Sequence, residues 1–247
     1  QMASHCKHNE IVRYESHFHS AETIISKANM ELADRRYNES IKLANAAADV
    51  LPDQSWLIIG ISSCKNQDVV AAERSYRHIV LNTRDREDLV TRCREAGIIR
   101  YQEQPFASAK TILNLADNEL TANHYEKARK MADDLVEFGF SDTLRIIGTA
   151  SCKMRDITRA EAVYRNVKLN DKDKEHIEIQ CKKVGIVRVG NQSFATVESI
   201  LKEAEDEYKK EHYDKARKLA NEVVEFASNN ALRIIGAASC RMKDINR

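Results

Sequence analysis

A nine-residue phrase is written three times in this chain at one interval. Trp56-Leu57-Ile58-Ile59-Gly60-Ile61-Ser62-Ser63-Cys64 returns as Leu144-Arg145-Ile146-Ile147-Gly148-Thr149-Ala150-Ser151-Cys152 and as Leu232-Arg233-Ile234-Ile235-Gly236-Ala237-Ala238-Ser239-Cys240. Gly60 to Gly148 and Gly148 to Gly236 are each 88 positions apart; Tyr37, Tyr125 and Tyr213 keep that interval, as do Cys93 and Cys181. From Tyr37 onward the unit is copied without insertion. Such copies fold as an array, because one copy alone cannot cover its own apolar flank.

Composition narrows the class. The 247 residues include 2 Pro and 7 Gly, and five of those glycines (60, 97, 148, 185, 236) fall at repeated positions, so little interrupts helix. No apolar run reaches the roughly 18 residues that cross a bilayer, so no membrane insertion is expected. With 39 Lys+Arg against 38 Asp+Glu, no general attraction to nucleic acid or anionic membrane is expected.

Within the second copy, Ile112, Ala116, Leu120, Tyr125, Ala128, Ala132 and Leu135 are spaced to share one side of two consecutive helices, broken at Asn123-His124. A second hairpin follows, with Leu144, Ile147, Gly148 and Ser151 on one helix, a turn at Met154-Arg155-Asp156, and Ala160, Tyr164 and Val167 on the other. Gly148 and Ala160 are small where backbones must approach. A fifth helix is predicted over residues 85–96 and again over 172–184, closed by Gly97 and Gly185 as left-handed caps. Residues 98–107 then serve as a link.

These positions resemble the tetratricopeptide repeat, a helical hairpin of about 34 residues. Gly60, Gly148 and Gly236 match its small residue in the first helix, Ala72 and Ala160 the small residue opening the second, and Tyr76 and Tyr164 its aromatic; Ser40, Ala128, Ala216, Ala44, Ala132, Ala220 and Pro52 match the other hairpin. The usual mid-helix aromatic is replaced by Glu31, Glu119 and Glu207, or by Ser63, Ser151 and Ser239. The resemblance implies an all-α fold, a right-handed alpha-alpha superhelix (a tetratricopeptide-like solenoid) with five helices per 88-residue unit. Residues 1–20 would be the tail of a preceding unit plus linker, 21–108 the first unit, 109–196 the second and 197–247 a truncated third. Both ends read as cuts: Cys6-Lys7-His8-Asn9-Glu10-Ile11 matches the close of the fifth helix, and the chain stops where earlier copies run on into Ala160-Glu161-Ala162-Val163-Tyr164. The 88-residue pattern also resembles repeat regions attached to some deltaproteobacterial, especially myxobacterial, serine/threonine kinases. Kinase motifs themselves are absent, with no His-Arg-Asp, Asp-Phe-Gly or glycine-rich phosphate loop.

All six cysteines belong to repeated motifs. In a tetratricopeptide stack the helix after a hairpin lies beside that hairpin's first helix. The resemblance therefore implies Cys64 with Cys93 and Cys152 with Cys181 as disulfide candidates, each needing Cα atoms within roughly 7 Å. Cys6 and Cys240 would lack partners. The other reading is six thiols filling tight helix crossings. Bonded pairs imply the periplasm or cell exterior, and free thiols a cytoplasmic setting. No metal site is expected, for want of a Cys-x-x-Cys or a recurrent neighbouring His. His17-Phe18-His19, with His5 and His8, reads as solvated, and His124 and His212 as polar turn residues.

The family binds extended peptides along an inner wall made by the first helix of each hairpin. Phase puts Leu57, Arg145 and Arg233, then Ile61, Thr149 and Ala237, then Lys65, Lys153 and Arg241 on that wall. Asn29, Asp117 and Glu205, with Leu32, Leu120 and Tyr208, line the alternate helices. Recurrent Arg145, Lys153, Arg233 and Arg241 suggest a basic stripe for carboxylates or phosphates; the competing reading pairs Arg145 and Arg233 with Glu161, Glu137 or Glu225. No arranged nucleophile, carboxylate pair or cofactor loop recurs, so neither an enzyme nor a cofactor is expected. The leading expectation is a non-catalytic scaffold for a peptide or partner protein of acidic character. The alternative is a structural spacer, or an extracytoplasmic, redox-stabilised sensor region of a larger kinase-linked protein.

Overall fold

The computed structural model describes residues 10–79, 82–190 and 192–242. Cys6, His5 and His8 lie outside them. The chain divides into two compact units, residues 1–112 and 113–247.

The first unit opens with an antiparallel hairpin, β1 (Ile11–Tyr14) and β2 (His17–Ser20), which pairs Val12 with His19 and Tyr14 with His17. Five helices follow: α1 (Ala21–Ala33), α2 (Tyr37–Ala47), α3 (Pro52–Lys65), α4 (Val69–His78) and α5 (Thr83–Glu95). Consecutive helices α1 to α4 pack on one another, and α5 packs on α3. Two clusters make the core. Ile24, Ala28, Leu43, Ala44, Ile58 and Ile59 fill one, and Cys64, Ala72, Ile79, Leu89, Cys93 and Phe106 the other.

Residues 98–107, read from sequence as a plain link, instead contain a second antiparallel hairpin. Its strands β3 (Ile98–Arg100) and β4 (Phe106–Ser108) pair Ile98 with Ser108 and Arg100 with Phe106. β4 runs directly into α6 (Ala109–Thr121), the helix in which the division between the units falls. The second unit repeats the plan: α7 (Tyr125–Asp133), a single 3-10 turn at Val136–Phe138, α8 (Ser141–Lys153), α9 (Ile157–Tyr164), α10 (Asp171–Lys182), β5 (Ile186–Arg188), β6 (Phe194–Thr196), α11 (Val197–Lys209), α12 (Tyr213–Glu222) and α13 (Ser228–Arg241). Here α10 packs on α8 as α5 packs on α3.

Local chemistry sets these boundaries. Ser20, Ser108 and Thr196 each accept a hydrogen bond from the backbone N–H three residues on, as do Asp68 and Asp156. These are side-chain caps on otherwise orphaned donors. Asn82 and Asn170 cap α5 and α10 in the same way, through the N–H groups of Asp85 and Asp173. Both helices therefore start earlier than the residues 85 and 172 read from sequence. Arg35, Asn123 and Glu211 (φ 63°, 65°, 65°), and Gln67 and Arg155 (φ 62°, 58°), make the hairpin turns in the left-handed region. None is glycine. Val167, placed by spacing on the inward side of its helix, is 96% exposed because α9 already ends at Tyr164.

Gly60 and Gly148 admit the fifth helix. A Cβ on Gly60 would stand 2.7 Å from Leu89 Cδ1, and one on Gly148 would stand 2.9 Å from Ile177 Cγ1. Disulfides join the same helix pairs. Cys64–Cys93 ties α3 to α5 and Cys152–Cys181 ties α8 to α10, with Cα atoms 5.1 and 4.7 Å apart and all four cysteines fully buried. Cys240 is a free, exposed thiol.

A repeated clamp fixes the β3–β4 and β5–β6 hairpins. Glu73 accepts the Phe106 N–H at 3.2 Å and faces Arg100 at 3.5 Å, while Arg100 lies 4.3 Å over the Tyr76 ring. In the second unit Glu161 accepts the Phe194 N–H at 2.9 Å and faces Arg188 at 3.8 Å, with Arg188 4.3 Å over Tyr164. Burial alone would raise the Glu161 pKa, but it is lowered, because the Phe194 N–H, Arg165 and Arg188 outweigh that cost.

Candidate binding clefts

Three open clefts occupy equivalent places in the repeat. The first, of about 580 Å³, is lined by Asn29, Leu32, Leu57 and Ile61, with Lys65 and the α5 residues Asp88, Arg92 and Glu95. The second, of about 360 Å³, is lined by Asp117, Leu120, Arg145, Thr149 and Lys153, with the α10 residues His176 and Gln180. The third, of about 290 Å³, is lined by Glu205, Tyr208, Lys209, Arg233, Ile234 and Ala237. Asn29, Asp117 and Glu205 correspond by the 88-residue interval, as do Leu32, Leu120 and Tyr208, then Leu57, Arg145 and Arg233, then Ile61, Thr149 and Ala237.

All but one of the residues singled out from sequence line these clefts. Asn29 and Lys65 belong to the first, Asp117, Arg145 and Lys153 to the second, and Tyr208 and Arg233 to the third. The exception is Arg241, whose pKa is raised by the neighbouring Tyr208 hydroxyl. The charges, however, do not form an open stripe. Arg145 is held by Asp117 at 2.9 Å and Asp142 at 3.3 Å, and Arg233 by Glu205 at 2.5 Å. Lys65 faces Glu95 at 3.8 Å. Arg145 and Arg233 thus pair with carboxylates one helix away across the cleft, or one turn along α8. Glu161 and Glu225 are engaged by Arg165 and Lys182. Lys153 makes no ion pair among the described residues.

Two features, one in the clefts and one at the hairpin turns, escaped the sequence. One is the fifth helix as a third wall, carrying Asp88, Arg92 and Glu95 in the first copy and His176 and Gln180 in the second. His176 has a lowered pKa, first through burial and then through the neighbouring Arg145 charge, so it is neutral near pH 7. The other is the role of the mid-helix glutamates. Glu119 bonds His124 and Lys127, and Glu207 bonds His212 and Lys210, each closing a hairpin turn with the recurrent histidine. His17 and His19 sit on β2, and the described residues hold no group of three or more His, Cys, Asp or Glu arranged for a metal.

No protein-family model and no curated protein matches the chain. The chain is similar to a solved structure titled "Functional Characterization of Pseudomonas Aeruginosa pilF", at 11% identity over 92% of this chain and 91% of that one, with a TM-score of 0.23. A superposition that loose carries neither fold nor function across, so the assignment of a helical repeat, with its short β-hairpins, rests on the elements described above.

Proposed function

We propose that the chain is a non-catalytic interaction scaffold whose clefts receive segments of a peptide or partner protein. The observation that carries this reading is the recurrence of one cleft in three copies with its lining residues varied. Leu57, Arg145 and Arg233 occupy one register position, and Ile61, Thr149 and Ala237 another, on equivalent helices. The exchange of leucine for arginine is answered within the fold, since Asn29 becomes Asp117 and Glu205, which pair with Arg145 and Arg233. The exchange among Ile61, Thr149 and Ala237 has no such answer, and recognition of different ligand groups accounts for it. In the first two copies the clamp and disulfide hold the walls, so little ordering cost falls on binding there.

Selection of a displayed random-peptide library on the disulfide-intact chain tests the reading. A recurrent motif should emerge, and should be lost with Arg145→Glu together with Arg233→Glu while the helical circular dichroism is unchanged. Failure to enrich any motif, or enrichment indifferent to both substitutions, overturns it. The two buried disulfides favour a periplasmic or extracellular setting, since such bonds persist where thiols are not kept reduced.

A further inference from the structure

The second cleft differs from the first in one respect that points to a ligand. In the first copy the cation on the floor is answered internally, Lys65 facing Glu95 of α5 at 3.8 Å. The residue 88 positions beyond Glu95 is Lys183, the exposed C-cap of α10. The counter-charge has become a second cation, and Lys153, the equivalent of Lys65, stands without an ion pair among the described residues. The neighbouring wall pair is lost as a unit: Asp88, which engages Arg92 in the first copy, becomes His176, and Arg92 becomes Gln180, so no wall carboxylate of α10 replaces Glu95 in this cleft.

A hydroxyl has also been placed there. Thr149 occupies the position of Ile61 and lies one helical turn from Lys153 on the same face. It is 4% exposed, and its buried Oγ1 has no hydrogen-bond partner. An unmade bond at such an atom costs stability, and the fold does not demand the hydroxyl, since the first copy packs with isoleucine and the third with alanine. Asp117, the carboxylate of this cleft, is committed to Arg145 at 2.9 Å.

Resting on the scaffold reading above, we infer that the second cleft is an oxyanion pocket, in which Lys153 Nζ and Thr149 Oγ1 hold a carboxylate or phosphate group of the partner peptide where the first copy supplies its own carboxylate. Two donors of this kind, one charged, suit an oxygen anion better than an apolar or cationic group. The first cleft, with Leu57 and Ile61 on its floor and Lys65 already answered, lacks the feature.

The test is nuclear magnetic resonance titration of the full, disulfide-intact chain with three capped single-residue probes: acetyl-glutamyl amide, acetyl-phosphoseryl amide and acetyl-norleucyl amide. The acidic probes should perturb Thr149, Lys153 and Gln180 and leave Ile61 and Lys65 unmoved; whichever binds more tightly identifies carboxylate or phosphate as the preferred source. Thr149→Val and Lys153→Met should each weaken the acidic probes about tenfold. Lys183→Glu, at an exposed position, restores the carboxylate of the first copy and should compete the probe out of the cleft to a similar degree. Norleucyl binding at the second cleft as tight as the acidic probes, or binding untouched by Lys183→Glu, overturns the oxyanion pocket and leaves the scaffold standing. If no probe perturbs any cleft, both readings fall.

Discussion

Glu161 accepts a hydrogen bond from the backbone N–H of Phe194, 33 residues further on, and Glu73 does the same for Phe106. Each carboxylate also faces an arginine stacked on a tyrosine, so one side chain ties a helix, a strand and an aromatic pair together. Glu161→Ala leaves the Phe194 N–H without its acceptor and the largely buried Arg188 without its ion-pair partner. Stability should fall by about 1–3 kcal/mol, read from denaturant unfolding. An unchanged midpoint would show that water replaces the carboxylate at no cost.

The disulfides each close a loop with a sequence separation of 29 residues. Replacing Cys152 and Cys181 by serine should cost about 3–4 kcal/mol on the chain-entropy estimate. Alkylation of the denatured, unreduced protein should modify Cys240 and Cys6 alone; modification of all six cysteines would return the chain to the buried-thiol reading.

Two glycines at the same register position should respond in opposite ways. Gly148→Ala drives a methyl into Ile177 and should destabilise by about 1–3 kcal/mol. Gly236 meets nothing within 4 Å, so Gly236→Ala should be neutral or stabilising by up to about 1 kcal/mol from helix propensity. Equal thermal shifts for the two variants would dismiss the close approach of α10 as the reason for glycine.

Hydrogen bonds from His212 and then Lys210 lower the Glu207 carboxyl to about 2, against an ordinary 4.5. Between those values the folded protein binds fewer protons than the unfolded chain, so the stabilisation is complete above pH about 4.5 and is lost as the pH falls toward 2. Carbon-detected titration of Glu207 should give a midpoint near 2, and Glu207→Gln should flatten the acid dependence of melting. An ordinary midpoint would sever the link between this carboxylate and the α11–α12 turn.

How much of this was legible in the sequence depended on distance along the chain. The 88-residue interval, the small residues at Gly60 and Gly148, and the breaks at Asn123-His124 and Met154-Arg155-Asp156 are local or repeated signals, and they marked the helices and the cysteine pairs. The β3–β4 and β5–β6 hairpins were missed because strands of three residues are too short to show alternation, and because what holds them is the Glu73–Phe106 contact and its repeat, far apart in sequence. Left-handed turns at Arg35, Gln67, Asn123, Arg155 and Glu211 gave no glycine to announce them. Cleft positions on hairpin helices followed from phase. The wall made by Asp88, Arg92 and Glu95 did not, since the fifth helix has no counterpart in a simple hairpin. The partners of Arg145 and Arg233 depend on side-chain reach, which periodicity does not encode.

In the first two copies clamp and sulfur bond are each closed within the copy, and neither uses a residue that lines its cleft. Substitution at positions such as 61 and 149 therefore leaves the frame intact. An ancestral duplication of such a frame could diversify what each copy recognises while inheriting its architecture unchanged.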